Sequence, residues 1–160
     1  MKGDTKDLVS LRRSADLVLA LTTPKGRGVF AAQDIPARTV IEISPVLPLG
    51  VEENESHVKH TSLYHYTYNW PLHSSNGEKQ ITQAVVLGLG SMFNHSRDQN
   101  VGWERDVDHL LVRYQTLRDV KAGEELCISY GDRLSFKDVD APTEEPEGDG
   151  SEVLSNIQID

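Results

Sequence analysis

Two stretches of the chain carry residue types that could do chemistry. The first is Gly88-Leu-Gly-Ser-Met-Phe-Asn-His-Ser96, running on to Asn100-Val101. The second is Gly123-Glu-Glu-Leu-Cys-Ile-Ser-Tyr-Gly131. Asn94 brings an amide with two donors and an acceptor, enough to read a base edge or to fix a loop. Gly88 and Gly90 let backbones approach closely, and Phe93 can anchor the turn. Tyr130, next to Gly131, offers a phenol that can orient a reacting group or satisfy a single buried hydrogen bond. A third stretch, Lys25-Gly-Arg-Gly-Val-Phe-Ala-Ala32 with Asp34-Ile-Pro36 behind it, is glycine-rich. Its Gly26-x-Gly28-x-x-Ala31 spacing mimics a dinucleotide fingerprint. That fingerprint must open a helix, and Pro36 with the β-branched residues after it denies one. The glycines better suit φ > 0 and bare backbone donors beside a ligand. His57, His60, His65 and His73 are metal ligands by type alone. Zinc wants four ligands in a tight set, usually with Cys or carboxylates. This spacing is irregular and no cysteine is near, so no metal is expected.

Short strands separated by turns must position these residues. Leu17-Val-Leu-Ala-Leu21 reads as a buried strand, Lys25–Gly28 as a turn and Val29-Phe-Ala31 as the return strand. Val40–Ile43 and Val46–Leu49 read as two strands, with Ser44-Pro45 marking a bend. Residues 50–80 are polar, His-rich and poorly periodic. They read as an inserted module with one short helix and Tyr66-Thr-Tyr68-Asn-Trp70 at its centre. Gln80–Leu87 returns to the core as a strand or short helix. Val101–Trp103, Leu110–Tyr114 and Leu126–Ile128 supply further strands. The turn chemistry of residues 33–39 recurs in Thr116–Glu124, where Glu124 would support the turn ahead of Tyr130. This is the pattern of a mainly β fold.

The length of 160 residues suits one domain with its own core. No run approaches the ~20 apolar residues of a membrane span, and the polar start lacks the apolar region of a signal peptide. Cys127 is the single cysteine, so no internal disulfide forms and an intracellular setting, nuclear or cytoplasmic, is expected. The formal charge is −9. Residues 137–160 hold one Lys and eight acidic groups, a share of −7, which leaves −2 for residues 1–136. A near-neutral body with an acidic tail argues against nucleic-acid binding, which needs a basic face. It permits a basic peptide partner.

In this order and spacing, the three motifs resemble those of the SET-domain protein lysine methyltransferases. The resemblance covers roughly residues 16–132. It implies a mainly β, β-clip type fold of several short sheets, with knot-like threading of the C-terminal motif and a small helical insert. The expected organisation is an N-terminal extension over 1–15, the SET domain over 16–136 and an acidic tail over 137–160. The implied activity is methyl transfer from S-adenosylmethionine to a lysine of a histone or similar basic tail. The resemblance assigns Tyr130 to the methyl-transfer site. It assigns Lys25, Gly26, Arg27, Gly28, Asn94 and His95 to the cofactor. Tyr68 would line the cofactor or lysine channel, where an aromatic face suits a cation. Ile128 stands where many members have Phe or Tyr, and it would set the room at the amine.

Many members cover the channel with a Cys-rich, zinc-binding segment, which Cys127 alone cannot form. The expectation therefore falls on Val153, Leu154, Ile157 and Ile159, folded back on their own domain or crossed to the partner in a homodimer. Two other classes fit parts of the sequence: a catalytically weak SET-like module that grips peptide or cofactor, and a β-clip ligand-binding domain. The second gives no reason for the pairing of Asn94-His95-Ser96 with Tyr130-Gly131.

Overall fold

The structure is a computed structural model that describes residues 16–73 and 76–131. Three sheets build it. β1 (Leu17–Thr23) pairs antiparallel with β2 (Gly26–Ala31). The main sheet has the order β4-β5-β3-β8-β7. Its strands are β3 (Val40–Pro48), β4 (Thr67–His73), β5 (Lys79–Val86), β7 (Val101–Asp106) and β8 (Leu111–Thr116). The third sheet is one parallel pair, β6 (Asn94–His95) beside β9 (Cys127–Ile128). The mainly β, multi-sheet architecture expected from the motifs is the one observed. Among the described residues no helix is long and apolar enough to cross a membrane.

Burial follows the β-branched and aromatic residues of the sheets. Ile41, Val112, Tyr114, Leu126 and Ile128 have no exposed surface, and Trp70 and Phe93 close the same core. Each large apolar side chain so buried contributes about 1.5–3 kcal/mol. The β9 segment runs through this interior. Leu126 N–H donates to Val29 O at 2.7 Å, and Cys127 N–H donates to Asn100 Oδ1 at 2.9 Å. Asn100 Nδ2 donates to Glu125 O at 2.8 Å. The last motif is therefore fastened to β2, β6 and the loop before β7.

The two segments of similar turn chemistry pack on each other. Ile35 and Val120 exchange both backbone hydrogen bonds. Ala37 N–H donates to Asp119 Oδ1 and Ala122 N–H to Asp34 Oδ1, and Lys121 pairs with Asp34 at 2.8 Å. Each turn carries an acidic side chain that caps the other's backbone, so the repeated chemistry is a reciprocal contact. Glu124 supports its turn as expected: Oε1 accepts from Lys121 N at 2.7 Å, and Oε2 pairs with Arg118 at 2.9 Å.

Three local expectations are corrected. β1 is a strand but not a buried one: Leu21 is 73% exposed and Val18 49%. An apolar run reports strand propensity, not coverage, and among the described residues β1 pairs with no strand but β2. Ser44-Pro45 is not a bend. β3 continues through it and changes partner there, from β8 up to Pro45 to β5 from Val46 onward. Proline's fixed φ is compatible with extended chain, and a changeover point is where a missing donor disturbs a ladder least. The insert is only half helical. One turn of helix, α1 (Val51–Ser56), and two 3₁₀ turns lead directly into β4, which pairs with β5 along Thr67–His73. Residues 79–86 are a strand and not a helix. Trp70 on β4 is wholly buried, so this half of the insert belongs to the core.

Tyr114 is buried with its phenol pushed well above the usual tyrosine range, chiefly by desolvation. Tyr68 is raised for the same first cause. Below the ordinary value of 10.0 both states keep the proton and nothing is lost. Above it the unfolded chain releases protons that the folded one retains, so folding stability falls as pH rises beyond about 10. The expected slope is about 1.4 kcal/mol per pH unit for each of the two tyrosines. Urea midpoints measured from pH 8 to 11 check this, and a flat profile across that range would contradict it.

Candidate active site

β6, β9 and the β1–β2 turn converge, and with them all three sequence motifs. The parallel pairing sets Asn94 opposite Cys127 and His95 opposite Ile128. His95 is nearly buried, and its Nδ1 accepts a hydrogen bond from Tyr130 N at 3.2 Å. The His95 and Tyr130 rings pack with centroids 5.5 Å apart. The imidazole is thus an internal brace for the Tyr130 backbone.

Tyr130 Oη donates to Phe93 O at 2.6 Å, and the residue keeps 37% of its surface exposed. Burial first, then the nearby Cys127, Glu125 and Tyr66, push its phenol up to about 12. The hydroxyl stays protonated at neutral pH. It can donate and accept hydrogen bonds and cannot serve as an anionic base. Gly131, at φ +80, turns the chain immediately afterwards.

An open pocket of about 180 Å³ lies beside the ring of Tyr130. Tyr66, Tyr68, Trp103, Ile128 and Tyr130 line it, with Arg105 among the polar residues of its wall. Tyr68 is fixed from two sides: its Oη donates to Gly90 O at 2.9 Å and accepts from Tyr114 Oη at 3.1 Å. Its ring meets Trp103 edge-on at 5.1 Å, and Trp103 Nε1 donates to Ser129 O at 3.0 Å. The Arg105 guanidinium stacks 4.6 Å from the Trp103 ring. Several aromatic faces around one opening suit an alkylammonium or a sulfonium.

At the glycine-rich turn, Gly26 has φ +92 and open space where a side chain would stand. Lys25 Nζ donates to His95 O at 3.3 Å. Arg27 Nη2 donates to Tyr66 Oη at 3.2 Å. Gly28 serves packing: a Cβ there would come within 2.6 Å of Glu125 Oε1 and 2.9 Å of Asn94 Nδ2. Asn94 Nδ2 donates to Arg27 O at 3.0 Å and to Glu125 Oε1 at 2.7 Å.

The structure thus brings Lys25, Gly26, Arg27, Gly28, Asn94, His95, Tyr68, Ile128 and Tyr130 to one side of the fold. Sequence reasoning missed Glu125, Tyr114 and Arg105. Glu125 lay inside a motif already singled out, whereas Tyr114 and Arg105 carried no local signal. Among the described residues no group of three or more His, Cys, Asp or Glu could hold a metal ion. His57 joins α1 to the first 3₁₀ turn, His60 and His65 lie on the two 3₁₀ turns, and the side chain of His73 is outside the described residues. The segment holding Val153, Leu154, Ile157 and Ile159 also lies outside them.

Known proteins resemble this chain in sequence and in fold. The SET domain family profile matches residues 26–131. A Schizosaccharomyces pombe protein described as a histone-lysine N-methyltransferase specific for histone H3 lysine-37 is 54% identical over 117 residues, which are 73% of this chain and 74% of that protein. Two solved structures share the fold. One is a Plasmodium falciparum protein assigned provisionally as a histone methyltransferase, at TM-score 0.54 and 22% identity, covering 75% of this chain and 96% of that one. The other is the SET8 protein of Cryptosporidium, at TM-score 0.55 and 20% identity, covering 74% of this chain and 58% of that one. With the motifs assembled and the profile spanning most of the chain, the protein belongs to the SET-domain family of protein lysine methyltransferases.

Proposed function

We propose that the protein transfers a methyl group from S-adenosylmethionine to a lysine of a histone or similar basic tail. The observation that carries this is the convergence of β6 and β9, which sets Tyr130 against His95 at the edge of an aromatic pocket. When bound, the cofactor supplies an electrophilic methyl on a sulfonium. The residues present fit that group. Gly26 leaves the turn open, and Asn94 keeps its amide oxygen without a hydrogen-bond partner among the described residues. Lys25, Gly26, Arg27, Gly28, Asn94 and His95 would hold it.

The pocket bounded by Tyr68, Trp103, Ile128 and Tyr130 takes the substrate side chain. Its aromatic walls exclude water, which favours the neutral amine needed for attack. Tyr130 orients that amine through its hydroxyl, with the Phe93 carbonyl holding the phenol in place. The near-neutral body and the aromatic pocket suit a basic peptide. The H3 lysine-37 specificity described for the S. pombe relative makes a histone H3 tail the first substrate to try.

Incubation with labelled S-adenosylmethionine and a histone panel, followed by mass spectrometry, tests the reading. Label on a lysine is the expected result. Cofactor binding without label on any lysine would leave the weak SET-like module instead. In calorimetry the protein should bind S-adenosylmethionine without added metal, and Asn94→Ala should weaken that binding about tenfold. Undiminished affinity in the variant would remove Asn94 from the cofactor site, and loss of binding on adding a chelator would remove the metal-free reading.

A further inference from the structure

The geometry points to Glu125 as a positioning residue that sets which face of Asn94 meets the cofactor. The inference rests on the cofactor reading above. Adjacent carboxylates at 124 and 125 do different work. Glu124 faces its own turn and pairs with Arg118. Glu125 points the other way, into the space that Gly28 leaves by lacking a Cβ, and accepts from Asn94 Nδ2 at 2.7 Å. The second hydrogen of that amide goes to Arg27 O at 3.0 Å.

The chemistry of the two partners fixes the orientation. An ionised carboxylate and a backbone carbonyl are both acceptors only. A flipped amide would set its oxygen against two other oxygens. Asn94 must therefore present its NH₂ inward, and its Oδ1 is left outward as an acceptor with no partner among the described residues. An acceptor alone discriminates: it welcomes a donor such as an exocyclic amine and rejects another acceptor. Glu125 is tied to the rest of the site as well, since its carbonyl accepts from Asn100 Nδ2 and the next residue donates to Val29 O. The Glu125 backbone thus ties β2 and the loop before β7 to the approach to Tyr130, while its carboxylate holds Asn94 on β6. No motif assigned it this role.

A double-mutant cycle on the full chain, read by calorimetry with S-adenosylmethionine, tests the inference. Glu125→Ala should weaken binding about tenfold. In an Asn94→Ala background the same change should add nothing, because Glu125 acts only through Asn94. Glu125→Gln keeps an acceptor and should recover most of the affinity. Glu125→Met fills the same volume without an acceptor, and it replaces the alanine variant if that one does not fold. Losses that multiply in the double variant, or a Glu125→Ala protein with wild-type affinity, would overturn the assignment.

The side-chain amide resonances of Asn94, followed by NMR without cofactor, report the clamp itself. They should move and exchange faster in Glu125→Ala and in Glu125→Met. Unchanged resonances would also overturn the inference, even if the wild-type protein bound no cofactor. That last result would instead count against the proposed function.

Discussion

Replacing Tyr130 by Phe is expected to cut turnover about a hundredfold while leaving the dissociation constant for S-adenosylmethionine within about twofold. The substitution is a clean deletion here. The Tyr130–His95 hydrogen bond uses the backbone N of residue 130, so it survives, and a phenyl ring keeps the packing on His95. The hydroxyl and its 2.6 Å bond to the Phe93 carbonyl are lost. The orientation of the amine is needed most at the transition state, so the loss should appear in kcat more than in binding. The phenol is held neutral at working pH. A Tyr130 deprotonation should therefore not be the group that limits the rate between pH 7 and 10. Single-turnover kinetics with saturating cofactor would measure the effect. Wild-type turnover in the variant, or a loss of affinity as large as the loss of rate, would remove Tyr130 from its proposed role.

The second large effect is expected from Gly90→Ala, a one-carbon change that should cost about 1–3 kcal/mol of stability. A Cβ at this position would stand 2.5 Å from both Tyr114 Oη and Val86 Cγ1, and 2.8 Å from Ser44 Oγ. These neighbours cannot simply give way. Tyr114 and Val86 are buried, and Ser44 accepts the Gly90 N–H at 3.2 Å. The carbonyl of the same residue accepts from Tyr68 Oη. Any backbone shift that relieves the contact pulls on the pocket wall. A lower urea midpoint should therefore come with a raised KM for the peptide substrate. A variant as stable as wild type would show that this region has slack the close contacts do not suggest.

Much of this site was legible from particular residues. The Asn94-His95 pair, the Gly123–Gly131 run and the glycine-rich turn each have a local signature, and their order along the chain pointed to one family and one mainly β fold. The recurring turn chemistry of residues 33–39 and 116–124 was visible as well, though not that the two turns cap one another. Short apolar runs bounded by turn residues also located most strands, because both signals are local.

What the sequence left open was whatever depends on a neighbour far along the chain. The apolar run of β1 looked buried, yet coverage depends on which element lies beside it, and among the described residues the strand paired with it is β2 alone. Ser44-Pro45 looked like a bend, but β3 stays extended because β8 and β5 hand it over at that point. Glu125 and Glu124 are indistinguishable as letters. One caps its own turn and the other crosses to Asn94, and packing alone separates them. Tyr114 reads as a strand residue, and only its 3.1 Å hydrogen bond to Tyr68, from behind the pocket wall, links it to the site. The sequence by itself determined the family to which the motifs belong and the kind of fold that holds them. Tertiary structure alone decided their orientation. A hydrogen bond is directional and short-ranged, so residues 31 positions apart in the chain, such as Asn94 and Glu125, meet only when the fold brings them together.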